Sequence, residues 1–388
     1  MDFRPVPLHE DIRKAVREMM EPFDDQYWME HDRDHAFPWE FYHAVAQAGW
    51  LGITIPEEYG GGGLGVTEAA IVEQEIASTG GGMGACSAVH IGIFGFDPII
   101  RHGSEDLKRR FLPRVPTGDL HISFAVTEPD AGTDTTGITT FARKVEGGYR
   151  INGKKVWITK AQQAERMLLL ARTTKREDAV KRTDGMTLFF AEMNPDHVQI
   201  REIPKLGRNS VNTNEVFIDD LFVADQDVVG EVGKGFRAIL AGLNAERIIS
   251  ANASIGIGRA SVRRAAAYAK ERIVFGRPIG QNQAMAHPIA EAMMRLDAAE
   301  VMLQKAAWLL DNGLDCGAEA NMGKYLAADA AFFAADRAIQ THGGFGYGKE
   351  FHVERYFREA RLQRIAPISQ EMVLNYLSEH VLHLPRSY

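Results

Sequence analysis

Two long intervals without proline constrain the fold of this chain more than any other feature. Eleven of the fifteen prolines lie at or before Pro204, and residues 231–277 and 289–366 contain none. A proline inside a helix costs about 3 kcal/mol, so these intervals, rich in Ala, Leu, Arg and Glu, indicate long helices. Pro278 and Pro288 bracket a predicted short connector, and residues 311–313 form a predicted turn. We therefore expect a helical bundle over residues 229–388.

The middle of the chain has the pattern of half-buried strands. Apolar and polar residues alternate over short runs, which favours strands near 121–127, 149–159, 166–172, 186–193 and 215–223. Asn152 and Gly153 predict a tight hairpin, since this dipeptide tolerates positive backbone angles. We expect a β domain over residues 121–228. A helical domain is predicted over residues 1–120, with helices near 39–49, 67–78 and 84–102.

Charge and cysteine usage exclude several classes of partner. The formal net charge is −8, and the basic residues are scattered, which disfavours a nucleic-acid partner. The two cysteines, Cys86 and Cys316, have no CxxC spacing, and no metal site is predicted. The sequence lacks the run of about 18 apolar residues that a membrane span needs. Without a signal-peptide core, we expect a protein of the cytoplasm or an organelle matrix.

Motifs for several common chemistries are absent. No HExxH, GxSxG or P-loop pattern occurs, which removes the main support for a metalloprotease, a serine hydrolase or an NTPase. Gly256 and Gly258 approach a dinucleotide fingerprint, but they lie inside a helical pattern with no strand before them. A Rossmann domain is therefore not predicted.

Two segments of the β domain carry the informative chemistry. Residues 124–134 leave a strand and present the hydroxyls of Thr127 and Thr133 beside a loop of small residues, which suits a polar or phosphorylated ligand. Trp157 and Thr159 lie two residues apart on one face of a strand, where they can cover a planar ring and bond its edge. Taken singly, the segments would favour a structural interpretation, a capped turn for the first and a core tryptophan with a surface threonine for the second.

Together these segments resemble the acyl-CoA dehydrogenase family, flavoproteins of α+β fold. The resemblance covers nearly the whole chain and implies a helical N-terminal domain, a central β-barrel-like domain and a C-terminal four-helix bundle. It includes the runs Gly49 to Ile53, Pro56 to Gly61, Thr127 to Asp134, Trp157 to Thr159, Arg272 to Gly276 and Gln340 to Gly346.

The resemblance implies that FAD is the cofactor and that two groups of residues hold it. The residues that match positions lining the isoalloxazine are Phe124, Val126, Thr127, Trp157 and Thr159; Thr133 matches one that bonds a phosphate of FAD, and Gln370 is a further expected cofactor contact. The adenine-diphosphate end, reached from a neighbouring subunit, matches Arg272, Phe275, Gln283, Gln340, Gly343 and Gly344. A guanidinium suits pyrophosphate, and glycines allow close approach of backbone. A cofactor shared in this way implies a homo-oligomer, with a dimer of dimers expected.

The resemblance also implies a carboxylate base, and Glu246 is the candidate. Many family members carry the base near the C-terminus, where this chain has Ala366. A second lineage, similar to isovaleryl-CoA and long-chain acyl-CoA dehydrogenases, has it at the position of Glu246, and Asn244 and Arg247 beside it are expected to contact the substrate. The backbone N–H of Ala366 is implied to hold the thioester oxygen, although Pro367 stands where the family has a glycine. The alternative for Glu246 is a surface glutamate paired with arginine.

The implied activity is the FAD-dependent α,β-dehydrogenation of an acyl-CoA thioester, with electrons passed to an electron-transfer flavoprotein. An enoyl-CoA would be the product. Two alternatives stay open: a flavin monooxygenase or oxidase on the same fold, and a flavin-binding protein without turnover.

Overall fold

A computed structural model of the chain describes residues 6–386, apart from the side chain of residue 241. Seven helices come first: α1 Pro7–Met20, α2 Asp25–Asp34, α3 Trp39–Gln47, α4 Val66–Ile76, α5 Gly82–Phe94, α6 Asp97–His102 and α7 Glu105–Phe111. Eight strands follow: β1 Ile122–Ala125, β2 Phe141–Val145, β3 Gly148–Thr159, β4 Arg166–Arg172, β5 Met186–Glu192, β6 Val198–Glu202, β7 Thr213–Ala224 and β8 Val228–Val229. Five helices and a small hairpin complete this part of the chain: α8 Gly235–Glu271, β9 Ile273–Val274, β10 Arg277–Pro278, α9 Gln283–Asp311, α10 Gly317–His342, α11 Val353–Leu362 and α12 Gln370–His380.

Helices α4 and α5 form the centre of the N-terminal region. Every residue of α5 except His90 is buried, so this helix is apolar on all sides and has one polar side chain near a surface. Helix α1 is amphipathic, and it packs on α4 through apolar residues spaced by four: Ile12, Val16 and Met20. The N-terminal helices therefore share one core, with α5 at its centre.

The eight strands form one mixed sheet in the order β6, β7, β3, β2, β4, β5, β8, with β1 pairing in parallel with β4. Strand β4 is almost entirely buried because both faces of the sheet are covered. Leu168 and Leu170 pack into the core shared with the helices, whereas Met167 and Leu169 pack into a second core on the opposite face. Strand β1 thereby comes to lie next to the helical region.

The hairpin predicted at Asn152 and Gly153 is wrong. Both residues lie inside β3, and the chain turns earlier, at Gly147, whose φ of 71° is left-handed. Gly153 is needed for close packing instead, since a Cβ at this position would lie 2.3 Å from Oγ1 of Thr140. Asn152 Oδ1 accepts a hydrogen bond from the Asp220 N–H at 2.9 Å, beside an irregularity in the pairing with β7.

The C-terminal helices are long and closely packed, and two glycines explain how. A Cβ at Gly256 would lie 2.3 Å from the Gln74 carbonyl oxygen on α4, and one at Gly258 would lie 2.5 Å from Cδ2 of Leu296 on α9. These glycines therefore bring helices together, in line with the prediction that they form no dinucleotide fingerprint. The predicted connector ending at Pro288 is too long, because α9 already begins at Gln283 and continues through this proline.

The structure confirms the α+β fold, with a helical N-terminal region, a central sheet and a helical C-terminal region. Among the residues described, one stretch, Val66–His102, is long and apolar enough to cross a membrane by composition. The most apolar part of this stretch is 83% buried within the protein, as expected for the central helices of a folded core.

Candidate active site

Glu246 lies on α8 in the first third of a 37-residue helix, where α8 packs against α5. Its side chain is half-buried, and within the described part of the chain it makes no ion pair. Arg247 instead donates from Nη1 to Oδ1 of Asn244 at 2.8 Å. The alternative of a surface glutamate paired with arginine is therefore not supported by this geometry.

The environment of Glu246 makes it a stronger base than an ordinary glutamate. Burial raises the pKa of Glu246, and the nearby charges of His90 and Arg247 oppose this shift only in part. Burial likewise lowers the pKa of Arg247. A carboxylate that is poorly solvated and unpaired is suited to removing a weakly acidic proton.

A row of rings on α5 links Glu246 to the end of β1. The ring centroids of His90 and Phe94 are 4.4 Å apart, and those of Phe94 and Phe124 are 6.0 Å apart. The charge of a protonated His90 would lower the pKa of Glu246, and α8, which carries Glu246, packs against α5. Helix α5 therefore lies against both α8, which carries the candidate base, and β1, which carries Phe124, one of the predicted flavin contacts.

A buried ion pair holds the segment after β1. Lys155 Nζ donates to the Val126 carbonyl at 2.9 Å and to Oε1 of Glu128 at 2.8 Å, and neither charged residue is more than 4% exposed. The N–H of Val156 donates to the Thr127 carbonyl at 2.9 Å. These bonds attach the predicted flavin contacts Val126 and Thr127 to β3.

The electrostatics of this pair explain how a carboxylate is accommodated inside the sheet. Desolvation alone raises the pKa of Glu128. The charge of Lys155 and hydrogen bonds from Thr139 and Thr140 outweigh it and leave the pKa of this carboxyl below its ordinary value. Burial lowers the pKa of Lys155 to about 8.

Trp157, Thr159 and Thr133 lie at or near the surface of the protein. Trp157 has a φ of 62° and is 59% exposed, at a bulge in the pairing of β3 with β7. Thr159 is the last residue of β3 and is half-buried, and Thr133 is exposed in the loop after β1. An indole that is neither buried nor covered is available to a planar ligand.

A second cluster lies at the far end of the C-terminal helices. A cavity of about 620 Å³ is lined by Arg272, Phe275, Gln340, Gly343 and Gly344 among others. The Phe275 side chain is fully exposed in the β9–β10 turn, at a φ of 53°. Added Cβ atoms at Gly343 and Gly344 would meet nothing within 4 Å, so the backbone there is open to a ligand. Gln283 is exposed nearby at the start of α9 but does not line the cavity, which its neighbours Asn282 and Met285 do.

Gln370 begins α12 beside a smaller cavity of about 300 Å³, and its Oε1 accepts from Nε of Arg364 at 2.8 Å. The preceding loop contains a cis peptide bond between Ala366 and Pro367. The Ala366 N–H donates to the Leu362 carbonyl at 3.0 Å, at the end of α11. The donor that we expected for a thioester oxygen is therefore already used within the chain, and the prediction for Ala366 needs correction.

Several residues of this region were not predicted from the sequence. Glu128 and Lys155 are 27 positions apart, and Glu73 and His90 are 17 apart and meet at 2.7 Å. Lys160, which follows Thr159, is buried with its Nζ 3.2 Å from the Ala88 carbonyl, and burial lowers its pKa to about 7. No local sequence pattern reports these pairings, although buried charges between apolar residues are a weak signal.

The three-part fold, the exposed indole beside the sheet and the carboxylate on the first long C-terminal helix are the features that the resemblance to a flavin-dependent oxidoreductase led us to expect. Sequence comparison agrees, because the N-terminal, middle and C-terminal domains of acyl-CoA dehydrogenases match residues 7–119, 123–221 and 233–382. The chain belongs to the acyl-CoA dehydrogenase family.

Individual relatives extend over almost the whole chain. The acyl-CoA dehydrogenase FadE12 of Mycobacterium tuberculosis is 38% identical over 379 residues, covering 97% of this chain and 96% of its own. Butyryl-CoA dehydrogenase from Megasphaera elsdenii has a TM-score of 0.93 at 28% identity, covering 98% of this chain and 100% of its own. PigA, solved as a complex with FAD, has a TM-score of 0.93 at 26% identity and coverages of 98% and 99%. The protein is thus an oxidoreductase with FAD as its cofactor.

Proposed function

We propose that the protein catalyses α,β-dehydrogenation of an acyl-CoA thioester, with Glu246 as the base. The observation that carries this proposal is the half-buried, unpaired carboxylate of Glu246, whose pKa is raised by burial. It lies on α8, which packs against α5, and the strand that carries Phe124 packs against α5 as well. Glu246 takes the α proton, which is weakly acidic and needs a base that is poorly solvated. FAD, held by the residue clusters named below, would supply the acceptor for the β hydrogen as hydride.

We further propose that the two residue clusters hold different parts of FAD. Phe124, Val126, Thr127 and the indole of Trp157 would surround the flavin ring, with Thr133, Thr159 and Gln370 alongside. The cavity near Arg272 would hold the adenine-diphosphate end, because it combines an exposed guanidinium with two open glycines.

Helix geometry supports a shared site between subunits. Glu246 and Arg272 are 26 residues apart along α8 and its last turn, which corresponds to about 39 Å at 1.5 Å per residue. This separation exceeds the length of an extended FAD molecule. If both clusters bind FAD, the Arg272 cluster must serve the cofactor of a second copy, so a homo-oligomer is the proposed working unit, with a dimer of dimers expected.

The remaining expectations concern partners and context. We propose an electron-transfer flavoprotein as the electron acceptor, a role in fatty-acid metabolism and a location in the cytoplasm or an organelle matrix. These follow from the family and from the charge and cysteine usage of the chain. Reduction of a purified electron-transfer flavoprotein by the substrate-reduced enzyme would test the first of them.

The experiment that tests the base is anaerobic bleaching of the flavin by a panel of acyl-CoA thioesters. We expect wild-type protein to bleach and to yield an enoyl-CoA by mass spectrometry. Glu246→Gln should retain FAD but lose most of the bleaching, because an amide cannot accept the proton. Glu58→Gln, at an exposed N-terminal position, is the matched control and should bleach normally.

Other outcomes would overturn parts of the proposal. Unchanged bleaching in Glu246→Gln would reject this base. Bleaching followed by rapid reoxidation in air would favour an oxidase or monooxygenase. No bleaching by any thioester would favour flavin binding without turnover.

A further inference from the structure

The polar cavity between the end of α11 and the start of α12 has hydrogen-bond donors in its wall that lack acceptors. Its volume is about 300 Å³, and it is lined by Arg361, Arg364, Ile365, Ser369, Gln370 and Glu371. Nη1 of Arg361 and Nε2 of Gln370 are buried, and within residues 6–386 neither atom has a hydrogen-bond partner. A buried donor without an acceptor costs free energy, so these two atoms point to a ligand that supplies acceptor oxygens.

The orientation of the Gln370 side chain is fixed by its neighbour. Gln370 is 6% exposed, and its Oε1 accepts from Nε of Arg364 at 2.8 Å. Because a guanidinium can only donate, the amide carbonyl must face Arg364, and the unpartnered end of the side chain must be the NH₂ group. Since Gln370 lines the cavity, this NH₂ group is a donor for whatever binds there.

The two guanidinium groups are held beside each other at the end of α11. Arg361 lies in the last turn of α11, and Arg364 follows two residues after its end. Their Cζ atoms lie 6.0 Å and 5.5 Å from the ring centroid of Phe332 on α10, so one aromatic ring supports both. Arg364 also pairs with Asp329, but the distance is 3.5 Å and both side chains are more than a third exposed. Such a pair contributes little, and Arg364 keeps donors for a further acceptor.

The charge balance of the cavity favours an anion. Ser369 caps α12, an 11-residue helix, and its hydroxyl accepts from the Met372 N–H at 3.4 Å. The N-terminus of such a helix attracts negative charge. Glu371 is the one acidic residue among the six in the wall. Its own backbone N–H and the Ser369 hydroxyl lower its pKa, so its carboxylate is ionised and held at the helix end. Two guanidinium groups therefore face one carboxylate.

We propose that this cavity binds a phosphate group through Arg361, Arg364 and Gln370. The oxygens of an ionised phosphate are strong acceptors, and a guanidinium matches their geometry with two parallel bonds. A volume of about 300 Å³ is at the lower end for small-molecule sites, which suits a phosphate with a small attached group. Free phosphate, the diphosphate of FAD and the phosphates of coenzyme A share this chemistry. The proposal is independent of Glu246 as the base.

Titration calorimetry of the holoenzyme with sodium phosphate at constant ionic strength tests the site. We expect saturable binding that Arg361→Gln weakens at least about tenfold, because a charge-assisted bond is lost. Glu371→Gln should bind phosphate about threefold more tightly or better, because it removes the negative charge from the wall. A purely structural role for these residues does not give opposite changes. Arg143→Gln, at an exposed position on β2, is the matched control and should bind as wild type does.

Two further measurements identify where the phosphate group comes from. If the cavity holds a phosphate of FAD, added phosphate should release flavin into the filtrate on ultrafiltration, and Arg361→Gln should retain FAD at least about tenfold more weakly. If the flavin stays bound, displacement of phosphate by coenzyme A assigns the site to that coenzyme. Retained flavin and no effect of coenzyme A assign it to free phosphate. Each of these results supports a phosphate site.

Other results would overturn the site. Wild-type protein that neither binds phosphate nor releases flavin in its presence would do so. Equal affinities of wild type, Arg361→Gln and Glu371→Gln would do so as well. Melting temperatures of the variants show that they have folded. Bleaching of wild-type flavin by acyl-CoA is measured on the same preparation, so the failure of the proposed function is seen separately from the failure of this site.

Discussion

The substitution Lys155→Met should reveal how much the buried ion pair stabilises the segment expected to face the flavin. The substitution removes the cation but leaves Glu128 buried at 4% exposure, together with a Val126 carbonyl that loses its donor. Breaking a buried pair by removing one partner costs about 3 to 5 kcal/mol. Glu128 still accepts hydrogen bonds from the Thr139 N–H, the Thr139 hydroxyl and the Thr140 N–H. We therefore expect the lower end of this range, about 3 kcal/mol.

The expected change in melting temperature follows from the size of the chain. An unfolding entropy of about 2.1 cal/mol/K per residue gives about 0.8 kcal/mol/K for 388 residues melting in one transition. A loss of about 3 kcal/mol then lowers Tm by about 4 °C. FAD occupancy, measured as the ratio of flavin to protein absorbance, should fall as well, because the segment at Val126 loses one of its attachments to β3.

Two controls make differential scanning calorimetry decisive. Lys154→Met removes the neighbouring lysine, which forms a partly exposed pair with Glu215 at 2.8 Å, and should change Tm by less than about 1 °C. The double variant Glu128→Gln with Lys155→Met removes both charges and should recover at least about half of the loss. Two results would show that an uncompensated buried charge does not cause the loss of stability. One is an equal Tm for Lys155→Met and Lys154→Met, and the other is a double variant whose Tm is no higher than that of Lys155→Met.

Two further predictions concern the pH profile and the helix packing. Because Glu246 must be ionised to act and burial raises its pKa above the ordinary 4.5, flavin reduction should fall as pH decreases through the raised value; a limb centred at or below 4.5 in stopped-flow traces would contradict this. The same shift makes folding stability decrease as pH rises above 4.5, because the folded state binds the proton more tightly. Gly256→Ala forces a Cβ to within 2.3 Å of the Gln74 carbonyl, so we expect a loss of about 1 to 3 kcal/mol and a Tm lower by about 1 to 4 °C. Gly132→Ala, where a Cβ meets nothing within 4 Å, should melt as wild type does.

The fold could be predicted largely from local sequence patterns, and the errors in that prediction also arise from local patterns. Long intervals without proline identified the long helices, since helix formation depends mainly on neighbours three and four residues apart. The turn propensity of Asn152 and Gly153 misled the strand prediction. In the folded chain, β3 pairs with β7 on both sides of these residues, and Gly153 packs closely against Thr140, so tertiary contacts override the local preference. Pro288 misled the helix boundary, because α9 tolerates it inside the helix.

The residues of the candidate site also fall into those that the sequence could predict and those that it could not. Glu246, Trp157 and Arg272 were predicted because motifs in a fixed order identify a family, and their roles stay predictions; the structure shows Trp157 and Arg272 exposed and Glu246 half-buried. The N–H of Ala366 was misjudged, since the sequence does not show that a helix end already uses it. The pairs of Glu73 with His90 and of Lys155 with Glu128 were missed altogether.

The amino-acid sequence by itself determined the periodicity of the helices and strands, the three-part order and the motifs by which the family is recognised. Only the tertiary structure decided which charges are desolvated, which polar groups already have partners and which side chains from distant segments meet. The physical reason is that propensity and hydrophobic period act over a few residues, whereas burial and hydrogen bonding depend on segments that approach one another only when the whole chain has packed.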